Sequence, residues 1–322
     1  MSMKQGVMYG GLAGAVWGMV FLGPALLSDF PPLLLSCGRF LLYGLVSLLM
    51  ALPLARGLLR KLVWADVPVL LRLALSGNII YFVLLAAAIQ RVGIAPTSLI
   101  IGVLPLTITL LGRNEADAPP LRQLVWPLLA ILAGILCINL EALFNAETRS
   151  LPLFDQLFGL GCALLALACW SWFATDNARS MKRQQRFNSN EWSLLIGLAT
   201  GLLAGMIWLG ALALDLDGVQ PQLAAERWHS FWVINAVLAV VASWLGYVFW
   251  NASARRLPLT LSGQMVVFET FFALVYGFIY LQRLPNLLEL LAIVLLLGGV
   301  CASVWRHSQA PQLAPGSAQA LS

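Results

Sequence analysis

Ten apolar segments, each about 20 residues long or longer, occupy most of the 322-residue chain. A helix that crosses the hydrocarbon core of a bilayer needs about 20 consecutive apolar residues. Because the connections between the segments are short, they leave no room for a soluble domain. We therefore predict an all-α integral membrane protein with ten transmembrane helices. The segments cover residues 6–28, 32–54, 67–90, 93–112, 122–144, 155–179, 191–214, 229–254, 257–282 and 285–305.

Charged residues make up only 10% of the chain and hydrophobic residues 60%, with a mean hydropathy of +0.86. A typical soluble domain carries about 25% charged residues. The composition therefore excludes a soluble enzyme, a nucleic-acid-binding protein and a disordered chain. The 19 basic residues outnumber the 14 acidic ones, but they are scattered between apolar segments and form no nucleic-acid-binding patch.

The distribution of basic residues predicts how the chain is oriented in the bilayer. If the N-terminus lies inside, fourteen of the 19 Lys and Arg residues fall on the cytoplasmic side and four fall on the outer side. The remaining one, Arg39, lies inside a predicted span. Short cytoplasmic loops carry an excess of Lys and Arg, so we predict that both termini lie in the cytoplasm.

Residue types that form disulfides, metal sites or common catalytic motifs have no suitable spacing. The five cysteines are odd in number, form no Cys-x-x-Cys pair and lie in apolar segments, and the two histidines lie apart at segment ends. The phosphate-binding loop of ATPases and the His-Glu-x-x-His and Gly-x-Ser-x-Gly motifs are absent. We therefore predict no disulfide, no metal site, no cofactor, no ATP-driven pump and no enzyme.

The two halves of the sequence match each other at regular offsets. A shift of 153 residues aligns Gly6 with Gly159, Ala13 with Ala166, Ala15 with Ala168 and Trp17 with Trp170, and a shift of 165 aligns Arg91 with Arg256, Gly112 with Gly277 and Gly134 with Gly299. Five helices per half make the second half enter the membrane from the opposite side. This predicts two inverted repeats around a central cavity, the alternative being chance similarity between apolar helices. The predicted units are repeats at 1–148 and 149–306 and a disordered cytoplasmic tail at 307–322.

Four short stretches carry a resemblance to a known group of proteins. They are Ala15-Val16-Trp17-Gly18, Gly38-Arg39-Phe40, Gly246-Tyr247-Val248-Phe249-Trp250-Asn251 and Val267-Phe268-Glu269-Thr270. With the ten-helix pattern, they resemble the drug/metabolite transporter superfamily, specifically its ten-helix EamA-type exporters. The resemblance covers essentially the whole chain before residue 306. It implies two five-helix repeats around a central cavity, and efflux driven by a gradient or by exchange.

The chain departs from that resemblance in its fourth segment. Many relatives carry Glu-Pro there, whereas this chain has Leu104-Pro105, and a glutamate occurs only in the second repeat, as Glu269. A mechanism that needs a carboxylate in both halves is therefore not expected here.

Two charged residues lie deeper within their apolar segments than any others, and an ionised side chain in the membrane interior costs at least ~2.5–3.5 kcal/mol. Arg39 lies about eight residues into its segment and Glu269 near the middle of the ninth. Arg39 is predicted to hold a substrate carboxylate or Glu269, and Glu269 to bind a substrate amine or to exchange a proton. The structural alternative is a buried ion pair that locks two helices together.

Aromatic and amide side chains form a second group of candidates for substrate binding. Helical spacing places members of this group on shared faces, where rings supply contact area and amides fix orientation. The alternative is the belt of Trp and Tyr found at membrane interfaces. The candidates are Trp17, Asn78, Tyr81, Trp170, Asn177, Trp244, Tyr247, Trp250, Asn251 and, more weakly, Gln264.

Glycines recur every four residues along two segments. They are Gly6, Gly10, Gly14 and Gly18 in the first segment and Gly197, Gly201 and Gly205 in the seventh. Small residues at this spacing allow helix backbones to approach closely. We predict close helix packing there, with a sliding or rocking interface as the functional interpretation.

These features favour a secondary transporter that exports a small metabolite across a bacterial inner membrane by alternating access. The aromatic faces and the Gly246-Tyr247-x-x-Trp250-Asn251 string look like the amino-acid exporter branch, aromatic amino acids included. Efflux of drugs or quaternary amines is the close competitor, because Glu269 among aromatic rings also suits a cation. A channel, a passive scaffold and an intramembrane enzyme are the remaining alternatives. The predicted partners are a small-molecule substrate, the lipid bilayer and a coupling proton, with no nucleic acid, and the oligomeric state does not follow from the residues.

Overall fold

A computed structural model describes residues 3–93, 97, 100–114, 120–144, 152–215, 221–281 and 284–309. Every regular element in these residues is a helix. Eight of the described helical stretches are long and apolar enough to cross a membrane, and Leu121–Cys137 is a shorter apolar helix. The prediction of an all-α membrane protein is therefore confirmed.

The helices of the first half follow the first five predicted segments, which we call the first to fifth spans. They are Met3–Trp17 and Leu22–Leu26 in the first span, Pro32–Ala51 in the second, Asp66–Ala74 and Ile80–Val92 in the third, Leu104–Leu111 in the fourth and Leu121–Phe144 in the fifth. A 3₁₀ turn at Leu52–Leu54 and a short helix at Ala55–Lys61 extend the second span. Part of the predicted fourth segment lies outside the described residues.

The helices of the second half follow the sixth to tenth spans. They are Leu153–Arg183 in the sixth, Ser189–Ala213 in the seventh, Ala225–Val237 and Gly246–Ala254 in the eighth, Leu259–Gln264 and Val267–Leu281 in the ninth and Leu287–Gln309 in the tenth. In each half one span carries a π-helical segment, Leu75–Ile79 in the third and Leu238–Leu245 in the eighth.

Several helix ends follow from local sequence chemistry. Pro32 occupies the first turn of the second span, where its missing N–H leaves no bond unmade. The third span ends at Gly93, whose φ of +85° suits a residue without a Cβ. The seventh span begins with a capping box, in which the Asn188 and Glu191 side chains each accept a hydrogen bond from the other residue's backbone N–H.

The tenth span is longer than predicted and shortens the predicted tail. Its helix continues to Gln309, so residues 307–309 are helical rather than part of a disordered tail. The extension is stabilised because the His307 ring is buried, with Nε2 2.7 Å from the Thr260 hydroxyl and Nδ1 2.8 Å from the Ser303 carbonyl oxygen. The rest of the predicted tail lies outside the described residues.

Helix contacts in one half recur at the equivalent residues of the other half. A Cβ added to Gly6 would lie 2.6 Å from Leu257, and a Cβ added to Gly159 would lie 2.6 Å from Val92. A shift of 153 residues relates Gly6 to Gly159, and a shift of 165 residues relates Val92 to Leu257. Leu257 lies just after the last helix of the eighth span and Val92 ends the third span, so the first span packs beside the end of the eighth as the sixth packs beside the end of the third.

The fifth and tenth spans also exchange equivalent contacts. A Cβ on Gly134 would lie 3.0 Å from Leu296, and one on Gly299 would lie 2.7 Å from Ile131. A shift of 165 residues relates Gly134 to Gly299 and also relates Ile131 to Leu296. The internal similarity seen in the sequence thus recurs in the helix contacts made at these positions.

The glycine spacing of the first span gives the predicted close packing. A Cβ on Gly10 would lie 2.5 Å from Met265, and one on Gly14 would lie 2.4 Å from Phe268. Both partners belong to the ninth span. The first span therefore approaches the ninth closely at these glycines and brings Trp17 near Glu269, which follows Phe268 in the chain.

The second and seventh spans make backbone contact at Gly44 and Gly201. We expect Gly201→Ala to destabilise the protein by about 1–3 kcal/mol, because its Cβ would lie 2.4 Å from the Gly44 Cα, where no side chain can move aside. Thermal unfolding in detergent measures the change. Gly210→Ala is the matched control, since a Cβ on Gly210 meets no atom within 4 Å. Equal unfolding temperatures for the two variants would contradict this packing.

An ion pair joins the loop after the first span to the start of the eighth. Arg227 donates from Nε to Asp29 Oδ2 at 2.7 Å and from Nη2 to Asp29 Oδ1. This hydrogen-bonded guanidinium lowers the pKa of the Asp29 carboxyl below its ordinary value. Both side chains are partly exposed, so water and salt screen the pair.

The lowered pKa of Asp29 determines the sign of its effect on stability. A carboxyl whose pKa is lower in the folded state than in the unfolded state stabilises the protein at pH values above the unfolded-state pKa, about 3.9. This stabilisation is lost as the pH falls through the folded-state pKa. We expect Asp29→Asn to lower the unfolding temperature slightly at pH 7 and to have progressively less effect below about pH 4. A larger effect in acid than at pH 7 would contradict the pairing.

Candidate functional site

Irregular backbone in four spans surrounds one point in the middle of the helix bundle. The first span breaks after Trp17, the ninth breaks at Met265–Val266, and the third and eighth carry the π-helical segments. Non-helical backbone at membrane depth is tolerated where it is buried in protein or lines a cavity. π-Helical segments within α-helices are also frequent at functional sites. These four irregularities therefore mark a candidate site.

A narrow cavity lies where these irregular segments meet. The space open to the centre of a water molecule is about 30 Å³, which is enough for about two water molecules. The lining residues are Trp17, Val20, Arg39, Phe40, Gly77, Asn78, Tyr81, Trp170, Tyr247 and Glu269. The structure thus brings together seven of the predicted site residues in one cavity, including both intramembrane charges.

Arg39 is held at the cavity by one hydrogen bond and two aromatic rings. Its Nε donates to Ser243 Oγ at 3.1 Å. The guanidinium carbon lies 4.6 Å from the centre of the Phe82 ring and 5.1 Å from that of Phe40. Within the part of the chain that the structure describes, the Ser243 bond is the only hydrogen bond of the Arg39 side chain. Its terminal N–H groups therefore have no acceptor there.

Glu269 enters the cavity from the break in the ninth span. It lies in the first turn of the helix Val267–Leu281, at the positive end of the helix dipole, which favours a negative charge. Its carboxylate has no hydrogen-bond donor and no ion-pair partner among the described residues. Its equivalent in the first half is Leu104, which is fully buried. The cavity therefore contains a single carboxylate, as the departure from the Glu-Pro pattern predicted.

Arg39 and Glu269 line the same cavity without forming an ion pair within 4.0 Å. The structure therefore does not show the buried ion pair between two helices that was the structural alternative for these residues. Burying each charge without a partner costs several kcal/mol, as a general rule. A cavity that keeps one positive and one negative group apart is suited to a ligand that carries both charges.

Aromatic rings form other parts of the cavity wall. The Trp17 ring centre lies 5.6 Å from that of Trp170 in an edge-to-face arrangement and 6.0 Å from that of Tyr247. Tyr81 lies 6.4 Å from Trp170. The Trp17 indole is fixed because its Nε1 donates to the Ala242 carbonyl oxygen at 2.8 Å. The rings offer a rigid apolar surface for part of a ligand.

Asn78 orients Tyr247 at the cavity wall. The Tyr247 hydroxyl donates to Asn78 Oδ1 at 2.6 Å, and Asn78 Nδ2 donates to the Thr200 hydroxyl at 2.9 Å. These bonds connect the third, seventh and eighth spans. Asn78 therefore positions a neighbouring ring in addition to lining the cavity.

Asn177 and Asn251 lie outside the cavity and bond to other protein groups. Asn177 Nδ2 donates to Asn251 Oδ1 at 2.7 Å, and Asn177 Oδ1 accepts from Trp192 Nε1 at 2.8 Å. Asn251 Nδ2 donates to the Ser193 hydroxyl at 2.9 Å. Trp250 is not among the lining residues, but its ring centre lies 5.3 Å from those of both Trp17 and Trp170, which line the cavity. A substrate can meet these residues only after the helices move.

The two remaining predicted residues lie apart from the cavity. Trp244 is partly buried and packs against the apolar core. Gln264 is fully buried between the fourth and ninth spans, where its Nε2 lies 3.4 Å from the Thr109 hydroxyl. Their role in substrate binding stays a prediction, and nothing in the geometry of the cavity supports it.

Sequence reasoning did not select Val20, Phe40 and Gly77, which also line the cavity, or Ser243, which holds Arg39. Val20 lies three residues after Trp17 and Phe40 follows Arg39, so neighbouring positions offered a signal for both. Gly77 and Ser243 lie in the π-helical segments, and the 3.6-residue period used for sequence analysis misplaces side chains there.

Comparison with known proteins agrees with this fold. Residues 4–140 match the EamA-like transporter family. The chain is 33% identical over 329 residues to the inner membrane protein YtfF of Escherichia coli K12, covering 96% of this chain and 98% of that relative. A crystal structure of another protein superposes with a TM-score of 0.66 at 22% identity, covering 95% of this chain and 99% of the other. At that identity the superposition shows the fold alone.

Proposed function

This chain belongs to the EamA-like transporter family of the drug/metabolite transporter superfamily, and we propose that it exports zwitterionic amino acids with large apolar side chains, aromatic ones included. As a member of this family it is a membrane transporter of small molecules. Because its relative of similar length is an inner membrane protein, we place it in a bacterial inner membrane. Both termini lie in the cytoplasm in this proposal, in accord with the basic residues.

The observation that carries the substrate class is the pair of separated charges, Arg39 and Glu269. A free amino acid carries a carboxylate and an ammonium group on one carbon. Arg39 binds the carboxylate through its terminal N–H groups, which lack acceptors among the described residues, and Glu269 binds the ammonium group. Each ligand charge thus compensates a buried protein charge, which lowers the cost of occupying the cavity.

The aromatic walls determine which amino acids are preferred. Trp17, Tyr81, Trp170 and Tyr247 surround the space beside the charges and present rings in fixed orientations. Rings of this kind stabilise an apolar or aromatic side chain by burial and edge-to-face contact. A small hydrophilic amino acid would leave this surface without a partner.

Efflux of cationic drugs or quaternary amines is the second candidate function. Glu269 among aromatic rings favours it, because such rings attract cations. Arg39 disfavours it, since an unpaired guanidinium in the same cavity repels a cation that carries no carboxylate. The two functions therefore differ in whether a carboxylate on the substrate improves its transport or weakens it.

Transport in this proposal proceeds by alternating access between the two repeats, residues 1–148 and 149–306. The cavity as it stands has room only for water, so helices must move to admit an amino acid. The glycine contacts of the first span with the ninth, and of the second with the seventh, are close interfaces at which the helices shift in this proposal. Glu269 is also the group through which a proton gradient can act on substrate binding.

Proteoliposomes containing the purified protein test the proposal. We expect saturable transport of tryptophan that exceeds that of tryptamine and of indole-3-propionate by at least about tenfold, because each analogue lacks one of the two charges. Counterflow of labelled tryptophan, with and without a pH gradient, measures it, and protein-free vesicles are the control. A preference for tryptamine supports cation efflux instead, and unsaturable flux indicates a channel.

A further inference from the structure

The two π-helical segments occupy equivalent positions in the two repeats. The shift of 165 residues relates Leu75–Ile79 to residues 240–244, which lie within Leu238–Leu245. The same shift relates Asn78 to Ser243, and both side chains are buried. Each repeat therefore places one small polar side chain at the same point of its π-helical segment.

These equivalent residues each hold a side chain that comes from the other repeat. Asn78 in the first repeat accepts from the hydroxyl of Tyr247 in the second, at 2.6 Å. Ser243 in the second repeat accepts from Nε of Arg39 in the first, at 3.1 Å. Both Tyr247 and Arg39 line the cavity. The π-helical segments thus fix cavity side chains across the interface between the repeats.

The Ser243 bond controls which part of the Arg39 guanidinium faces a ligand. Arginine has five N–H donors in a planar fork. Ser243 takes up the Nε donor, and the rings of Phe40 and Phe82 contact the guanidinium group. The two terminal nitrogens remain available together, which is the arrangement that binds a carboxylate through two parallel hydrogen bonds.

The same bond helps to hold Arg39 apart from Glu269. Opposite charges attract strongly in a low-dielectric interior, so an unrestrained Arg39 would be drawn onto Glu269. An ion pair between them would occupy both groups and leave none for a substrate. A bond from Nε to a different span opposes that movement.

We propose that Ser243 is a positioning residue that orients Arg39 toward the substrate carboxylate and restrains it from pairing with Glu269. The carboxylate part of this proposal rests on the proposed amino-acid transport. The restraint of Arg39 by Ser243 does not depend on the substrate. The test therefore has one readout that needs no substrate and one that does.

Thermal unfolding gives the readout without substrate. We expect Ser243→Ala to lower the unfolding temperature by a few degrees when it is made in the wild-type protein. The same substitution made in the Arg39→Gln variant should lower it by less than about one degree, because the bond exists only when both residues are present. Ser253→Ala is the matched control. Ser253 is also buried in the eighth span, and its hydroxyl donates to the Gly6 carbonyl oxygen at 2.8 Å. Equal shifts of Ser243→Ala in both backgrounds would overturn the restraint.

Substrate selectivity gives the second readout. Ser243→Ala is expected to raise KM for tryptophan about tenfold, because a misoriented guanidinium loses roughly one charged hydrogen bond to the substrate carboxylate. KM for tryptamine, which has no carboxylate, should change less than about twofold. Ser243→Thr keeps the hydroxyl and should restore most of the tryptophan affinity. Ser253→Ala should leave the ratio of the two KM values unchanged.

The two readouts separate the failure of this inference from the failure of the proposed function. If wild-type protein transports no amino acid, the proposed function fails, and the unfolding data still decide whether Ser243 restrains Arg39. If amino acids are transported and Ser243→Ala raises both KM values equally, the carboxylate-orienting role is overturned. An unchanged KM for tryptophan in Ser243→Ala would also overturn it.

Discussion

Glu269→Gln is expected to lower kcat/KM for tryptophan transport by at least about 30-fold. The substitution keeps the size of the side chain but removes the negative charge that faces the substrate ammonium group. Removing one partner of a buried, hydrogen-bonded charge pair typically costs about 2–5 kcal/mol, and 2 kcal/mol corresponds to about 30-fold. Initial rates of uptake into proteoliposomes over a range of tryptophan concentrations measure the effect. The variant should also lose any dependence of transport on pH that arises from Glu269.

Glu226→Gln is the matched control for this experiment. It makes the same change from carboxylate to amide at an exposed position near the start of the eighth span, away from the cavity. We expect it to transport tryptophan like the wild-type protein. If Glu269→Gln retained wild-type transport and wild-type pH dependence, Glu269 would not belong to the substrate site.

Arg39→Gln is expected to have the second large effect and to change selectivity as well as rate. Loss of the guanidinium leaves the substrate carboxylate unpaired, so kcat/KM for tryptophan should fall by at least about 30-fold. Tryptamine has no carboxylate and is no longer repelled by a positive charge, so its transport should be unchanged or improved. Measurements of kcat/KM for both substrates in the same variant give the ratio of tryptophan transport to tryptamine transport directly.

Arg39→Lys separates the charge of the residue from its geometry. Lysine keeps the positive charge but lacks the planar fork that binds a carboxylate through two bonds. We expect it to recover only a small part of tryptophan transport. Arg91→Gln removes one arginine from an exposed ion pair with Asp155 and controls for the change in net charge. Equal losses of tryptophan and tryptamine transport in Arg39→Gln would contradict carboxylate recognition.

The site is asymmetric within a nearly symmetric framework. The two halves exchange equivalent contacts at Gly6 and Gly159, yet the position that carries Glu269 in the second half carries Leu104 in the first. The helix framework follows the repeat, whereas the charged chemistry belongs to one cavity only. Among the described residues that line the cavity there is one carboxylate and one guanidinium, and the proposed mechanism uses these two groups.

Much of the fold followed from the sequence because its signals are strong and local. Apolar segments of fixed length predict spanning helices, and the glycine spacing predicted close helix packing. The structure shows that packing at Gly10 and Gly14, where the partner is the ninth span. The charges at Arg39 and Glu269 identified the cavity because isolated charges are costly in a membrane. These inferences needed no knowledge of how distant helices pack.

The parts that sequence did not predict depend on tertiary partners and on changes of helical period. Asn177 and Asn251 share a helical pattern with cavity residues, but they bond to each other, and periodicity cannot show that. The π-helical segments add a residue to a turn and rotate the side chains beyond them. For that reason Ser243 and its bond to Arg39 emerged only from the structure.

Substrate protection of a single cysteine in the cavity tests the central claim most directly. In a variant whose five native cysteines are replaced, Val20→Cys places a thiol on the cavity lining. Its rate of reaction with a small thiol reagent is measured with and without saturating tryptophan, and Trp64→Cys, on the exposed connection after the second span, serves as the control. If the cavity binds the substrate, tryptophan slows modification at position 20 and leaves position 64 unaffected. If tryptophan is transported while modification at position 20 proceeds at the same rate, the cavity is not the substrate site.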